Sequence, residues 1–521
     1  MREKLMRITA FALCVVMLLC MVACGAKEQP APEQDAVQDS LNSEFDPEAT
    51  EPAAAEPPRA QKVADSDGSL RYVMIYNPNI YKERTGLGDQ RNTGNFGNQV
   101  DTTAVKADGL EMPSDYPFTP WDQGEINVDI PEEELNLDGN RADVMLTPYC
   151  VGDVRPFYCY DTQLNRVYKQ FTCLYAGTYC NIWTYDSQFN SYAAEIYGQA
   201  FDVDIYPQML ASFGTARFAE NGGKVNLLFY PMADGLAGCF TNADLYSSSE
   251  ASAEMISYYG MNTDHAVLNI NSSYAIYEQL VQLMCSTMAH EFQHLICATD
   301  SIYALNGEYC SSWLNEAMSG YVEEMLYPGA KVTSGHYDAL SMSDRIRYGQ
   351  SLYNFDTDNN DIGVYGSVYL YSEFLADLAN KDQTYRNFHD EWRNSYSFTI
   401  CDAEGLYSIM SQEEIDQVDG IVDYPSSIVF ESESEEWMSK LTLAFYLAML
   451  ENSEGGPDAY SYVDPQTLLY DQMGAANIEG GGRIILAVKN GEFEIPADAD
   501  AGLVYVGMDA NFRPVTPVIV G

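Results

Sequence analysis

The chain has 521 residues, 46% of them hydrophobic and 12% aromatic, enough to build substantial cores in two or three domains. Its 77 acidic residues against 27 basic ones give a formal net charge of −50. Nucleic acids and anionic membrane surfaces would repel such a chain, so neither is expected as a partner.

In chain order, the first element is an export signal. Arg2, Lys4 and Arg7 precede an apolar run over residues 8–22 that ends at Ala23-Cys24-Gly25, the layout of a bacterial secretory signal with a lipobox. Met21 stands where such a box usually has Leu, while Val22 and Ala23 conform. Residues 1–24 are therefore expected to be a lipoprotein signal peptide with Cys24 as the lipidation site. The folded part then lies outside the cytoplasm, held to the cell envelope through its N-terminal lipid alone. No later run is long and apolar enough to span a bilayer. Residues 25–68 are rich in Pro, Ala, Glu, Asp and Gln and cannot bury enough apolar surface to fold, which predicts a disordered acidic tether.

Beyond the tether, aromatic-rich alternation over residues 70–78 and 157–186 predicts strands and a β-rich N-terminal domain, 69–190. Residues 191–450 predict a mainly helical domain with strands at 225–230 and 265–270. A helix is expected over 274–298, where Gly and Pro are absent and Ile276, Leu280, Leu283, Met284, Thr287 and Leu295 recur at spacings of three and four, the pattern of an amphipathic helix. Asn271, Ser272 and Ser273 are suited to cap it. A second helix is predicted over 312–326, stopped by Pro328 and Gly329, and a third over 435–451. Residues 451–521 return to strands at 484–488 and 502–507 and form a small β-containing C-terminal region. The fold class is α+β.

The first of these helices carries His290-Glu291-Phe292-Gln293-His294. Two histidines four apart share one helix face, about 6 Å apart, so their imidazoles can converge on one cation. One helix face cannot surround an ion, and a catalytic zinc needs a third protein ligand while leaving a position open for water. Glu316 on the following helix is the candidate. Glu291, next to the first histidine, points beside the metal, where it can take a proton from the attacking water as general base.

HEFQH followed by WLNEAMS from residue 313 resembles the gluzincin zinc peptidases, and within them the hyicolysin-like bacterial secreted metallopeptidases. VGDVRPFYCYD (151–161), CNIWTYDSQ (180–188) and AFDVDIYPQMLASFG (200–214) also resemble segments that precede the catalytic helix in such enzymes, and the likeness covers roughly residues 145–450. The resemblance implies a zincin-like catalytic domain with a mainly helical C-terminal lobe in 191–450, Zn2+ as cofactor, and protein or peptide substrates. It also implies a His or Tyr that donates to the oxyanion. Tyr365, in the segment 364–371, matches that place, with His336 as its competitor; His265 and His389 read as ordinary surface or half-buried histidines.

Two departures stand out. Twenty-one residues separate His294 from Glu316, slightly more than in thermolysin-like enzymes, which points to a longer loop over 300–311. Those enzymes also place an Asp after the glutamate ligand to hold a ligand histidine, where this chain has Gly320. Glu323, Glu324 or a backbone oxygen must then take that part.

Nine of the 12 cysteines lie beyond Cys24, at 150, 159, 173, 180, 239, 285, 297, 310 and 401; none has CxxC spacing, and no pairing is predicted. Cys285 and Cys297 read as small apolar residues of the motif helix. Asp356, Asp358, Asn360 and Asp361 gather oxygen donors that could hold a structural Ca2+, but lack the Gly and Glu of an EF-hand, so a solvated turn is the simpler account. The sequence as a whole predicts a monomeric, lipid-anchored, extracytoplasmic zinc endopeptidase. An aminopeptidase is disfavoured, because no acidic motif anchors a free amine. The alternative of another class is a noncatalytic surface lipoprotein with a degenerate peptidase domain, binding glycans or host protein through its aromatic β regions.

Overall fold

Continuous apolar runs become central strands, because a strand flanked by neighbours and covered on both faces exposes no side for polar residues. The computed structural model describes most of residues 62–80, 148–304, 312–327, 347–353, 362–378, 407–451 and 465–520, with short pieces between 84 and 136. In chain order the strands are β1 Lys62–Ala64, β2 Tyr72–Tyr76, β3 Arg84–Thr85, β4 Gly88–Asp89, β5 Thr93–Val100, β6 Glu125–Ile126, β7 Val154–Tyr160, β8 Arg166–Ala176 and β9 Cys180–Thr184. They continue with β10 Val225–Tyr230, β11 Gly238–Thr241, β12 Val267–Asn271, β13 Gly474–Glu479, β14 Arg483–Ala487, β15 Glu492–Glu494, β16 Val504–Met508 and β17 Ile519–Val520.

A seven-stranded mixed sheet with the order β6-β11-β12-β10-β9-β8-β7 forms the base of the molecule's main core. Its centre is parallel, β10 running with both β9 and β12, and every residue of these three strands is buried. β7, β8 and β9 form an antiparallel meander on one flank, and β11 runs antiparallel to β12 on the other. The strands expected at 157–186, 225–230 and 265–270 are thus present. They share one sheet, so the division expected at residue 190 falls inside it.

A second sheet, β14-β2-β16-β17, inserts β2 between two strands from the C-terminal end of the chain. It packs on the helix Glu433–Glu451, where Tyr76 donates to the Ser439 carbonyl (3.1 Å) and Tyr446 donates to the Gly481 carbonyl (3.0 Å). The tether expected to reach residue 68 ends earlier: β1 pairs with β15 and buries Val63. Burial of that one apolar side chain and the strand pairing hold a segment whose composition alone reads as unfolded. Among the described residues no helix is long and apolar enough to cross a membrane.

The motif helix runs Val281–Ala304, starting later and ending later than its spacing predicts. Asn271 caps a separate single turn, Ser272–Ala275, accepting from the Ser273 N–H, and Tyr277 is extended (φ −98°, ψ 122°), which interrupts the helix before Val281. The first part of the expected loop, residues 300–304, is therefore helix. The motif helix is also not amphipathic in the usual sense, for residues 283–298 are buried without interruption. Met284, Met288, Phe292 and Leu295 belong to the main core, while the polar residues Gln293, His290 and His294 are covered by the helix Ser312–Leu326. A helix buried all round needs an internal purpose for its polar side chains.

Gly238 on β11 lets the motif helix lie against the sheet. A Cβ there would stand 2.8 Å from Thr287 Cγ2 and 3.1 Å from Glu291 Cγ. Gly238→Val should therefore destabilise the protein by about 1–3 kcal/mol in urea unfolding, through overpacking. Gly420→Ala, where a Cβ meets nothing within 4 Å, serves as control and should be neutral or stabilising by up to about 1 kcal/mol. Equal stabilities for Gly238→Val and the parent would contradict this packing.

Candidate metal centre

The motif helix and the helix Ser312–Leu326 bring His290, His294 and Glu316 together. Their ligating atoms lie within 4.8 Å of one another, and all three residues are buried. The two Nε2 atoms face each other at 3.0 Å. Glu316 closes the triangle, with Oε2 3.3 Å from His290 Nε2 and Oε1 3.6 Å from His294 Nε2.

What surrounds the imidazoles decides where their protons sit. Glu323 Oε1 lies 2.6 Å from His290 Nδ1, an ion-pair contact between two buried groups. A carboxylate at that distance keeps a proton on Nδ1. Ser319 Oγ donates to Gln293 Oε1 (2.5 Å) and is left to accept from His294 Nδ1 (3.2 Å). Both rings therefore turn Nε2 toward Glu316 and toward each other, the atom that offers a lone pair once a metal takes the place of a proton there. Two nitrogen lone pairs and a carboxylate turned toward one point suit a borderline-soft divalent cation.

The electrostatics of the cluster agree. Burial acts to lower the pKa of His290, but the Glu323 and Glu316 carboxylates outweigh it and hold the pKa well above the ordinary histidine range. Burial would likewise raise Glu316, yet the two imidazoles bring it down to about 2. The same negative field that retains protons here would retain a metal ion.

Of the three holding groups left open by the sequence, the structure selects Glu323; Glu324 is half-exposed on the next position around the helix. The reason lies at Gly320, where a Cβ would stand 3.2 Å from Tyr369 Cδ2 of the helix Ile362–Leu378. An Asp there would crowd Tyr369, and the carboxylate comes instead from one turn further along, at Glu323. Ser319 and Gln293 escaped sequence reasoning. Their signal is only that Ser319 sits three residues after Glu316, on the face shared with Glu323.

Glu291 is fully buried between the motif helix and β11, beside Gly238 and Cys239. Burial, and Glu291 after it, push the Cys239 thiol well above its usual pKa, so it stays protonated and is a poor metal ligand. Seven cysteines are free thiols among the described residues, six of them buried, including Cys285 and Cys297. Tyr365 falls in the helix Ile362–Leu378, one turn before Tyr369, but its side chain lies outside the described residues, as do Cys24, His336, His389 and the segment 354–361. His265 is half-buried just before β12, bonded to the Thr263 carbonyl (2.6 Å) and the Tyr149 hydroxyl (2.8 Å), an ordinary structural histidine.

No family model matches the chain. It is similar to the neutral metalloprotease ShpI of Staphylococcus hyicus, 27% identical over 259 residues, which make up 47% of this chain. The chain spans 56% of that protein's length.

Removing the carboxylate behind His290 should be felt as metal affinity. Glu323→Ala should weaken zinc binding about 10- to 100-fold in competition with a chromogenic chelator, and Glu323→Gln, which keeps an acceptor, should fall between it and the parent. An affinity within twofold of the parent for Glu323→Ala would show that Glu323 does not orient the ligand.

Proposed function

We propose that this protein is a zinc metallopeptidase that cleaves protein or peptide substrates internally. The observation that carries this is the buried convergence of His290, His294 and Glu316 in a chain that resembles a metalloprotease. His290, His294 and Glu316 would hold the ion, and Glu323 and Ser319 would orient the two imidazoles. When bound, zinc supplies Lewis-acid polarisation of the scissile carbonyl and lowers the pKa of its water to about 7.

The chain's own groups do the rest. Glu291, one position around the helix from His290 and shut away from bulk solvent, accepts the proton of the attacking water and later passes it to the leaving amine. Tyr365 is proposed to donate a hydrogen bond to the developing oxyanion, from a helix that packs on the Glu316 helix. Export and lipid anchoring at Cys24 are proposed on the N-terminal sequence alone, which would put this chemistry on the outer side of the cell envelope.

Casein cleavage that stops on addition of a chelator and returns with zinc is the expected result for the parent. Glu291→Ala should keep one zinc per chain yet lose cleavage by at least about a hundredfold, the scale of general-base contributions. Full activity in Glu291→Ala would rule out its role as base. Absence of cleavage by the zinc-loaded parent would favour a noncatalytic binding protein, and cleavage that a chelator leaves unchanged would contradict the metal's part in it.

A further inference from the structure

The sheet has two flanks, and the one near the metal centre is β11. A Cβ on Gly238, at the start of β11, would meet the Glu291 side chain at 3.1 Å, whereas β12, β10, β9 and β8 each have strands on both sides. The opposite flank, β7, lies at the far end of the strand order. An extended peptide placed against Glu291 and seeking backbone hydrogen bonds from this sheet thus has β11's outer edge available to it. The second half of that edge, along which such a peptide would have to continue, is already taken: β6 pairs with it in parallel, Glu125 opposite Phe240 and Ile126 opposite Thr241.

The cover is held in place by the residues C-terminal to it. Ile130 and Leu135 are buried in the main core, which also contains Met288 and Phe292 of the motif helix, and the Asn136 N–H donates to the Glu250 carbonyl (2.9 Å). The pairing itself is two residues long and parallel, the weaker of the two ladder types. A short strand delivered from firm anchors competes as an intramolecular ligand at high effective concentration, yet can be displaced without unfolding the core. Unpaired strand edges are commonly covered in this way.

We propose that β6 is a self-occluding strand: residues 125–126 occupy the edge of β11 that an extended polypeptide substrate needs, so that substrate binding requires their displacement. This rests on the peptidase function proposed above. The occupant is the chain's own segment, and the competitor is an extended peptide.

The test compares the full-length zinc-loaded protein with E125P/I126P, which removes both backbone donors of β6. Amide hydrogen exchange over residues 238–242 should be faster in the variant. KM for an extended fluorogenic peptide should fall about three- to tenfold, with kcat and zinc content unchanged. E125G/I126G, which weakens the strand through chain entropy, should move both readouts the same way and stands in if the proline variant does not fold. Unchanged exchange would show that the pairing is absent. Faster exchange with KM unchanged or raised would show that β11's edge is not the substrate's path. Either result overturns the proposal while leaving the peptidase function intact. Absence of cleavage by every protein, with zinc bound, overturns the peptidase function and this inference together.

Discussion

Two buried carboxylates, Glu316 and Glu323, stand with two buried imidazoles in one small volume, a third, Glu291, is buried on the sheet side of the same helix, and that concentration of negative charge is the constraint around which the fold is arranged. Each ionised carboxylate removed from water costs several kcal/mol unless positive charge and hydrogen bonds compensate it. Histidine protons supply part of that compensation, as the shifted His290 and Glu316 show. A divalent cation supplies more, and places it between the groups that need it. A buried polar helix would otherwise be a liability; here its polar face is matched by the Glu316 helix.

The remaining architecture keeps those two helices at the required separation. On one side the parallel strands β9, β10 and β12 give the motif helix a rigid floor, and Gly238 lets it approach that floor closely. On the other, Tyr369 packs against Gly320 and sets the height of the Glu316 helix. The two glycines act at opposite faces of the same cluster. The absence of a side chain makes room beside Glu291 in one case, and in the other keeps Tyr369 uncrowded while Glu323 supplies the carboxylate.

Much of this was legible in the sequence, because local pattern and local chemistry coincide there. The run Val225–Tyr230 is apolar throughout except for Asn226 and is a central strand over the expected residues. The helix Ser312–Leu326 has clear ends, and the two histidines four apart could only meet on one face. Long-range pairing was not legible. Nothing in Tyr72–Tyr76 indicates that its partners lie beyond residue 480, since alternation and apolarity encode a strand's faces and not its neighbours. The choice between Glu323 and Glu324 was equally hidden. Adjacent residues on a helix point about 100° apart, and only the packing of the two helices decides which one reaches His290.

X-ray absorption at the zinc edge on the purified chain is the most decisive check on this metal centre. One zinc per chain is expected, with nitrogen and oxygen neighbours at about 2.0–2.2 Å, the shell of two histidines, a glutamate and water. A sulfur neighbour at about 2.3 Å would move the metal to the thiols, and absence of stoichiometric zinc would leave the buried acids with protons alone. Either result would contradict a metal held by His290, His294 and Glu316.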